Sequence, residues 1–278
     1  MNKIDEIKAF WDANPLWTGD PQSVGEPGSR EFFDSHTRGV LRESGGRMDP
    51  RFYPVCEPDA PILDLGCGIG FWLEQFGRRG FTNLTGADLS ERSLELARRR
   101  CELLGIRAAW SIQNAQAMTL PDEAFAHVVC SGVVHHSPDP RAAIVEMHRV
   151  LRPGGRAVVA VYYKNFPLRN WQWLRPLGGI AMRVGLTPKG RGRDDMMAAA
   201  DAGELVRRYD GIANPWGEAF STRQFLELFG SDWASVEPFG YAFPARLLPV
   251  ALPRPVFRAL EYACPFLIAA VAIKRGTR

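Results

Sequence analysis

Between Pro61 and Tyr163, short continuous apolar runs alternate with stretches whose apolar residues recur at helical spacing. The runs predict strands at Ile62–Leu65, Leu84–Ala87, Ala108–Ile112, His127–Ser131 and Arg156–Tyr162, because a strand buried on both faces needs no polar alternation. The stretches between them predict helices over Ile69–Arg79, Glu91–Leu104 and Arg141–Leu151, the last stopped by Pro153-Gly154-Gly155. Strand and helix in strict alternation is the pattern of an α/β fold with a doubly wound parallel sheet. Within the second helix, Arg98-Arg99-Arg100 reads as a solvated face.

The flanks follow other rules. Ile4, Ile7, Ala9, Phe10 and Trp11 predict an amphipathic first helix ended by Asn14-Pro15. A loop rich in glycine and proline, Gly19–Gly28, leads to Ser29, which can cap a helix reaching about Arg42, with Glu31 and Asp34 in its early turns. The aromatics Trp11, Trp17, Phe32 and Phe33 fit either a lid or ordinary packing. After Tyr163 the alternation stops. A helix around Asn170–Val184, a Gly/Arg-rich loop at Lys189–Arg193, a helix near Asp194–Tyr209 and another at Thr222–Phe229 are expected, with Trp171, Trp173 and Trp216 among them. Such an insertion fits a substrate cover, a contact with a second copy of the chain, or a packing decoration. Two further strands, Ser235–Phe243 and Pro265–Lys274, flank a helix near Pro255–Ala263. The apolar span from Leu247, broken by four prolines, reads as core more readily than as a membrane contact. The chain thus divides into an N-terminal cap (1–57), a central α/β unit (58–163), the insertion (164–220) and a sheet-completing end (221–278).

A ligand belongs where the first strand breaks. Pro61-Ile62-Leu63-Asp64-Leu65-Gly66-Cys67-Gly68-Ile69-Gly70 is an apolar run meeting three glycines at alternate positions. Glycines permit close approach, and the N–H groups at the start of the following helix favour negative or strongly polar groups. A dinucleotide fingerprint spaces its glycines G-x-G-x-x-G; here Phe71 stands where its last glycine would be, which disfavours NAD. Asp88 closes the second strand, placed to accept two hydrogen bonds from the vicinal hydroxyls of a ribose, or to cap the helix after it.

Composition narrows the partners. Hydrophobic content of 46% and a formal charge of +3 over 278 residues are those of an ordinary globular protein. The positive residues are scattered rather than gathered into one long block, which argues little for nucleic acid. Cys56, Cys67, Cys101, Cys130 and Cys264 form no C-x-x-C pair and lie mostly in apolar segments, as expected of a reducing, cytoplasmic compartment. Met1–Phe10 lacks the apolar core of a signal peptide, and no apolar run reaches the ~20 residues of a spanning helix.

Together with Asn114-Ala115 after the third strand, Ser131-Gly132-Val133-Val134-His135-His136 after the fourth and Arg149-Val150-Leu151-Arg152-Pro153-Gly154-Gly155 after the next helix, the D-x-G-x-G-x-G turn resembles the class I S-adenosylmethionine-dependent methyltransferases over about Pro61–Ala160. The resemblance implies a seven-stranded Rossmann-like sheet with S-adenosylmethionine as cofactor. It also implies cofactor contacts from Asp64, Gly66, Cys67, Gly68 and Gly70 at the turn, from Asp88 and Leu89 at the ribose, from Asn114 and Ala115 at the adenine and from Ser131 near the sulfonium. Two departures stand out. Asn114 replaces a common aspartate, although its amide oxygen can still accept from an adenine amine. Phe125-Ala126-His127 replaces a common Phe-Asp, a change expected to touch stability rather than binding.

Methyl transfer gains most from alignment and exclusion of water. Where an acceptor proton must leave, His136, beside His135 at the rim, is the candidate base; His36, Tyr162 and Tyr163 are lesser ones. The expected acceptor is a small, apolar or aromatic metabolite. The competing reading is a protein that binds the cofactor in a cyclase or sensor role, since fold does not fix reaction.

Overall fold

A computed structural model describes residues 2–176, 198–211, 213–245 and 252–276. Its centre is a seven-stranded sheet of β1 (Ile62–Leu65), β2 (Leu84–Asp88), β3 (Ala109–Ile112), β4 (Phe125–Ser131), β5 (Leu151–Tyr162), β6 (Trp233–Tyr241) and β7 (Leu267–Lys274), in the order β3-β2-β1-β4-β5-β7-β6. The first five strands run parallel, and β7, wedged between β5 and β6, runs antiparallel to both. The order reverses at β1, so the loops after β1 and β4 diverge and leave a crevice at their carboxyl ends.

Buried residues on β1 and β4 explain the continuous apolar runs. Leu63 and Leu65 join one core layer with Val128, Cys130 and Ile144, while Ile62 joins the opposite layer with Leu73, Phe76, Leu94 and Val129. The helices α3 (Phe71–Gly77) and α4 (Glu91–Leu104) cover the second layer; α5 (Pro140–Val150) covers the first. Ser90 caps α4 through the Ser93 N–H, and Gly105 ends it in the left-handed region.

The N-terminal pair, α1 (Lys3–Ala13) and α2 (Arg30–Glu43), forms as expected, with Asn14 ending the first and Ser29 capping the second. Several expectations need correction. α3 begins at Phe71 because Gly70 sits at φ 82°, outside helical space. α5 ends at Val150, and Pro153-Gly154-Gly155 lie inside β5, where the pairing jumps from Phe125–Leu151 to His127–Arg156; this irregularity absorbs the extra residues. Arg98 and Arg99 are exposed, but Arg100 is fully buried. Its guanidinium donates to Glu74, His36 Nδ1, Thr37 Oγ1 and the Ile69 carbonyl, locking α2 and α3 to α4. Burial lowers the Arg100 pKa, and the Glu74 carboxylate opposes that shift.

Beyond β5 come α6 (Phe166–Arg169), a helical stretch at 171–176, then α7 (Ala202–Asp210); residues 194–197 of the expected Asp194–Tyr209 helix lie outside the described residues. The rest of the expected Asn170–Val184 helix and the Lys189–Arg193 loop lie outside the described residues. α8 (Thr222–Glu227) and α9 (Arg254–Ala263) complete the chain. α9 buries Phe257 but leaves Val256 and Tyr262 exposed, so the span from Leu247 is only partly core.

Candidate active site

All three glycines of the β1 turn have positive φ: 70° at Gly66, 51° at Gly68 and 82° at Gly70. Their roles differ. A Cβ on Gly66 would lie 2.1 Å from Val133 Cγ2, and one on Gly68 2.9 Å from Leu16 Cδ1. Gly70 faces the backbone of Ala97, where it lets α4 approach the turn. The Gly68 N–H donates to Asp88 Oδ2 at 2.8 Å and the Ser90 N–H to Oδ1 at 2.9 Å. Burial pushes the Asp88 carboxyl up, and these N–H groups pull it back. Each oxygen keeps a further lone pair for a ligand hydroxyl.

A cavity of about 290 Å³ opens on this turn. Gly66, Gly68, Asp88, Leu89, Asn114, Ala115 and Ser131 all line it, as does His136. Asp64, Cys67 and Gly70 do not: Asp64 and Cys67 are buried behind the wall, and Gly70 backs onto α4. Burial, then the Asp88 charge, raises the Asp64 pKa well above the usual carboxylate range; the Leu73 N–H opposes it. Asp64 Oδ2 has no hydrogen-bond partner among the described residues. Asn114 Oδ1 already accepts from the Gln116 N–H at 3.0 Å, which holds the loop in a turn and leaves one lone pair outward. Gln113, not anticipated, also lines the cavity and braces that loop by bonding Ser111, Thr119 Oγ1 and the Thr119 N–H.

The other end of the same cavity is aromatic. Trp11, Tyr162, Tyr209 and Phe266 line it, with Tyr162, Tyr209 and Phe266 rings mutually 4.8–5.6 Å apart. The Tyr162 hydroxyl donates to Asp210 at 2.8 Å and the Tyr209 hydroxyl to Glu43 at 3.0 Å. His136 stands between the two ends. Its Nδ1 lies 2.8 Å from the Trp216 carbonyl, which can only accept, so that nitrogen carries the proton; its Nε2 lies 3.3 Å from Asp210 Oδ2. Trp11 packs edge-on against the same ring. Burial raises the Asp210 carboxyl, but the hydrogen bond and charge of His136, with the Tyr162 hydroxyl, outweigh it and hold Asp210 at about 2. Burial keeps His135 neutral. Its Nδ1 accepts from the Tyr162 N–H, which places the proton on Nε2, a buried donor with no partner among the described residues.

His36 lines the cavity, but its Nδ1 accepts from Arg100. Tyr163 is absent from the lining and bonds Arg169 instead. Asp210, Trp216 and Glu43 were not legible as site residues, because each lies far in sequence from the strand ends it meets.

Residues 62–155 match the family model described as a methyltransferase domain. The chain is 36% identical over 124 residues to the methyltransferase GfsG of Streptomyces halstedii, covering 43% of this chain and 45% of that protein. It is 30% identical over 211 residues to the ubiquinone biosynthesis O-methyltransferase of Idiomarina loihiensis, covering 73% and 74% of the two chains. Against the first-ranked curated relatives, the matched part spans only about half of their length. A solved structure of a SAM-dependent methyltransferase from Methanosarcina mazei superposes with a TM-score of 0.54 at 17% identity, covering 83% of this chain and 99% of that one. The [4+2]-cyclase SpnF superposes at 0.52 and 16%, covering 98% and 94%. At those identities the two structures speak for the fold alone. Glycine turn, acidic end of β2, strand order and sequence kinship together establish that the chain belongs to the class I S-adenosylmethionine-dependent methyltransferases.

Proposed function

We propose that this protein transfers the methyl group of S-adenosylmethionine to a small apolar or aromatic acceptor. The observation that carries the reading is the single cavity with a glycine turn and a carboxylate at one end and an aromatic wall at the other. The residues fit the cofactor: Asp88 offers lone pairs for the ribose hydroxyls, Asn114 and Ala115 flank the place for an adenine, and the bare edges of Gly66 and Gly68 leave room a Cβ would fill. When bound, the cofactor supplies an activated methyl on a sulfonium. Ser131, Gly132 and Val133 line the passage from the turn toward the aromatic end.

The chain's own part is then alignment and exclusion of water. Trp11, Tyr162, Tyr209 and Phe266 present flat apolar faces to an acceptor, and α1, α7 and the loop carrying Trp216 cover it. The geometry favours His136 as a positioning residue over a base. One ring nitrogen is committed to the Trp216 carbonyl and the other is turned to Asp210, so neither is aimed at an acceptor. His136 instead ties the cover to the rim of the cofactor half. His135 Nε2–H remains as an unused donor for a ligand oxygen.

The test is calorimetric titration with S-adenosylmethionine beside NAD, followed by an acceptor screen that counts methylated product against adenosylhomocysteine. Specific binding weakened by Asp88→Ala, with stoichiometric products abolished by Gly68→Arg, is the expected result. Preference for NAD, or turnover unchanged in Gly68→Arg, overturns the reading. Tight cofactor binding with no methylated product from any acceptor, yet chemical conversion of one, would instead favour the cyclase alternative.

A further inference from the structure

Immediately after β5 the chain turns outward. Two tryptophans two residues apart on the helical stretch 171–176 point about 200° from each other around the axis. Trp171 is buried, with its indole N–H donating to the Ala199 carbonyl at 3.0 Å, so Trp173 is driven to the surface and is 83% exposed. Phe166, on α6 just before it, is 67% exposed. Single exposed apolar side chains are ordinary. A phenylalanine and a tryptophan left out on one short segment are not, because tryptophan forfeits the most by staying in water.

Charge distinguishes the same segment. Several exposed helical cations have an acid on their own helix, Lys3 with Glu6, Arg92 with Glu95, Arg99 with Glu102 and Arg223 with Glu227, although Arg30, Arg38, Arg98, Arg141 and Arg254 make no ion pair among the described residues. Lys164 and Arg175 pair with no carboxylate among the described residues, and Arg169 bonds only neutral acceptors, the Lys164 carbonyl and the Tyr163 hydroxyl. No acidic residue occurs from Lys164 to Pro176. In sequence this bias runs on to Arg193, with seven lysines and arginines and no aspartate or glutamate, although the whole chain carries only +3. The remainder of the protein is therefore net acidic, and the chain is electrically polarised toward this segment.

We propose that the outer face of residues 164–176, with Phe166 and Trp173 as anchors and Lys164 and Arg169 as the cationic rim, docks on an anionic phospholipid surface. Aromatic side chains beside unpaired cations fit the boundary between headgroups and acyl chains. Among the described residues no helix is long and apolar enough to cross a membrane, so the contact is a surface one. The face adjoins the cavity: Tyr162 lines it one residue before Tyr163, the Tyr163 N–H donates to the carbonyl of Phe266, another lining residue, and Asn165 Nδ2 donates to the Pro265 carbonyl. Tyr262, 92% exposed, lies in the last turn of α9, three residues before that proline. A docked molecule would thus hold the aromatic end of its cavity near the lipid, where an apolar acceptor concentrates. That last consequence rests on the proposed activity; the docking does not.

Co-sedimentation of the full chain with vesicles tests it, using phosphatidylcholine alone and mixtures with phosphatidylglycerol. Binding is expected only with the anionic lipid, weakening as salt rises. Lys164→Gln and Arg169→Gln should each lower the partition coefficient about fivefold, the loss of one cation near the surface. Phe166→Ser with Trp173→Ser should lower it at least about tenfold by removing both anchors. Because these side chains are exposed, S-adenosylmethionine affinity and melting temperature should stay at wild-type values, which separates lost docking from lost folding. Absence of vesicle binding at low salt overturns the proposal. So does vesicle binding indifferent to the four substitutions, or retention on a polyanion such as heparin that outcompetes vesicles and ignores the loss of Phe166 and Trp173, which would assign the face to nucleic acid. A protein that binds vesicles but no S-adenosylmethionine would sink the proposed activity and leave the docking standing.

Discussion

Replacing Gly66 with alanine tests the floor of the site at one atom. The added Cβ would stand 2.1 Å from Val133 Cγ2, 3.0 Å from Cγ1 and 3.1 Å from Cβ, at a backbone φ of 70°. Two separable costs follow. The left-handed conformation costs an L-residue about 1–2 kcal/mol, and forcing a methyl into filled space costs about 1–3 kcal/mol. Gly66→Ala should therefore lose about 2–5 kcal/mol in urea melts. Val133→Ala alone removes two methyls from a half-buried position and should cost about 1–2 kcal/mol. In the double variant the nearest remaining contact is Val133 Cβ, so the clash largely vanishes while the backbone strain stays. The double-mutant cycle should show a favourable coupling of about 1–3 kcal/mol. Additivity within about 0.5 kcal/mol would refute the packing argument, and coupling large enough to erase all of the Gly66→Ala cost would refute the strain. Gly68→Ala is the contrast: its obstacle is the free end of Leu16, which can swing aside, so Leu16→Ala should rescue little.

Other parts of the site yield to simpler measurements. Arg100→Ala leaves the Glu74 carboxylate buried without its main partner and should cost about 3–5 kcal/mol, whereas Arg100→Met with Glu74→Gln should recover much of that in thermal melts. Asp64 has a raised carboxyl, so the folded state holds its proton longer than the unfolded one, and stability falls as pH climbs above about 4. Asp64→Asn should then be more stable than wild type at pH 8, the difference shrinking to nothing below about pH 4; an equal difference at both pH values would contradict it. Asp210 is the opposite case. Held at about 2, it contributes stability that is complete above the unfolded value near 4 and is lost as pH falls toward 2, and Asp210→Asn should remove about 2 kcal/mol at pH 5 and little at pH 2, read from urea midpoints.

Local physics made the cofactor half legible. Strands covered on both faces must be continuously apolar, and β1, β2 and β4 announced themselves to within a residue or two. The glycine turn was readable because no side chain tolerates those φ values in that space, and Asp88 because it ends the neighbouring strand. Arg100 was misread, yet its position held a signal: Ala97, Arg100 and Cys101 share a helical face with Leu94, so the arginine lies on the buried stripe and its neighbours Arg98 and Arg99 do not. The aromatic half gave no such sign. Tyr209 meets Glu43 across 166 residues, and His136 meets the Trp216 carbonyl across 80, and neither contact imprints a period on the sequence.

At His136 residue type and geometry point to different roles. A histidine at the rim invites the role of base, because imidazole titrates near neutrality. What decides the role is the destination of its two nitrogens. A base for an acceptor proton needs one nitrogen facing the substrate and the other held by a partner; here a carbonyl and a carboxylate, both contributed by the segment after α6, take one each. Asparagine at 136 separates the two roles. As a base, its loss would flatten the acid limb of the kcat profile and lower kcat with little change in acceptor KM. As a clamp, it would raise acceptor KM and leave the shape of the pH profile intact, and Asp210→Asn would do the same, since either substitution loosens the cover without touching the reacting atoms. A KM effect shared by the two variants, and absent from cofactor affinity, is the outcome the geometry requires.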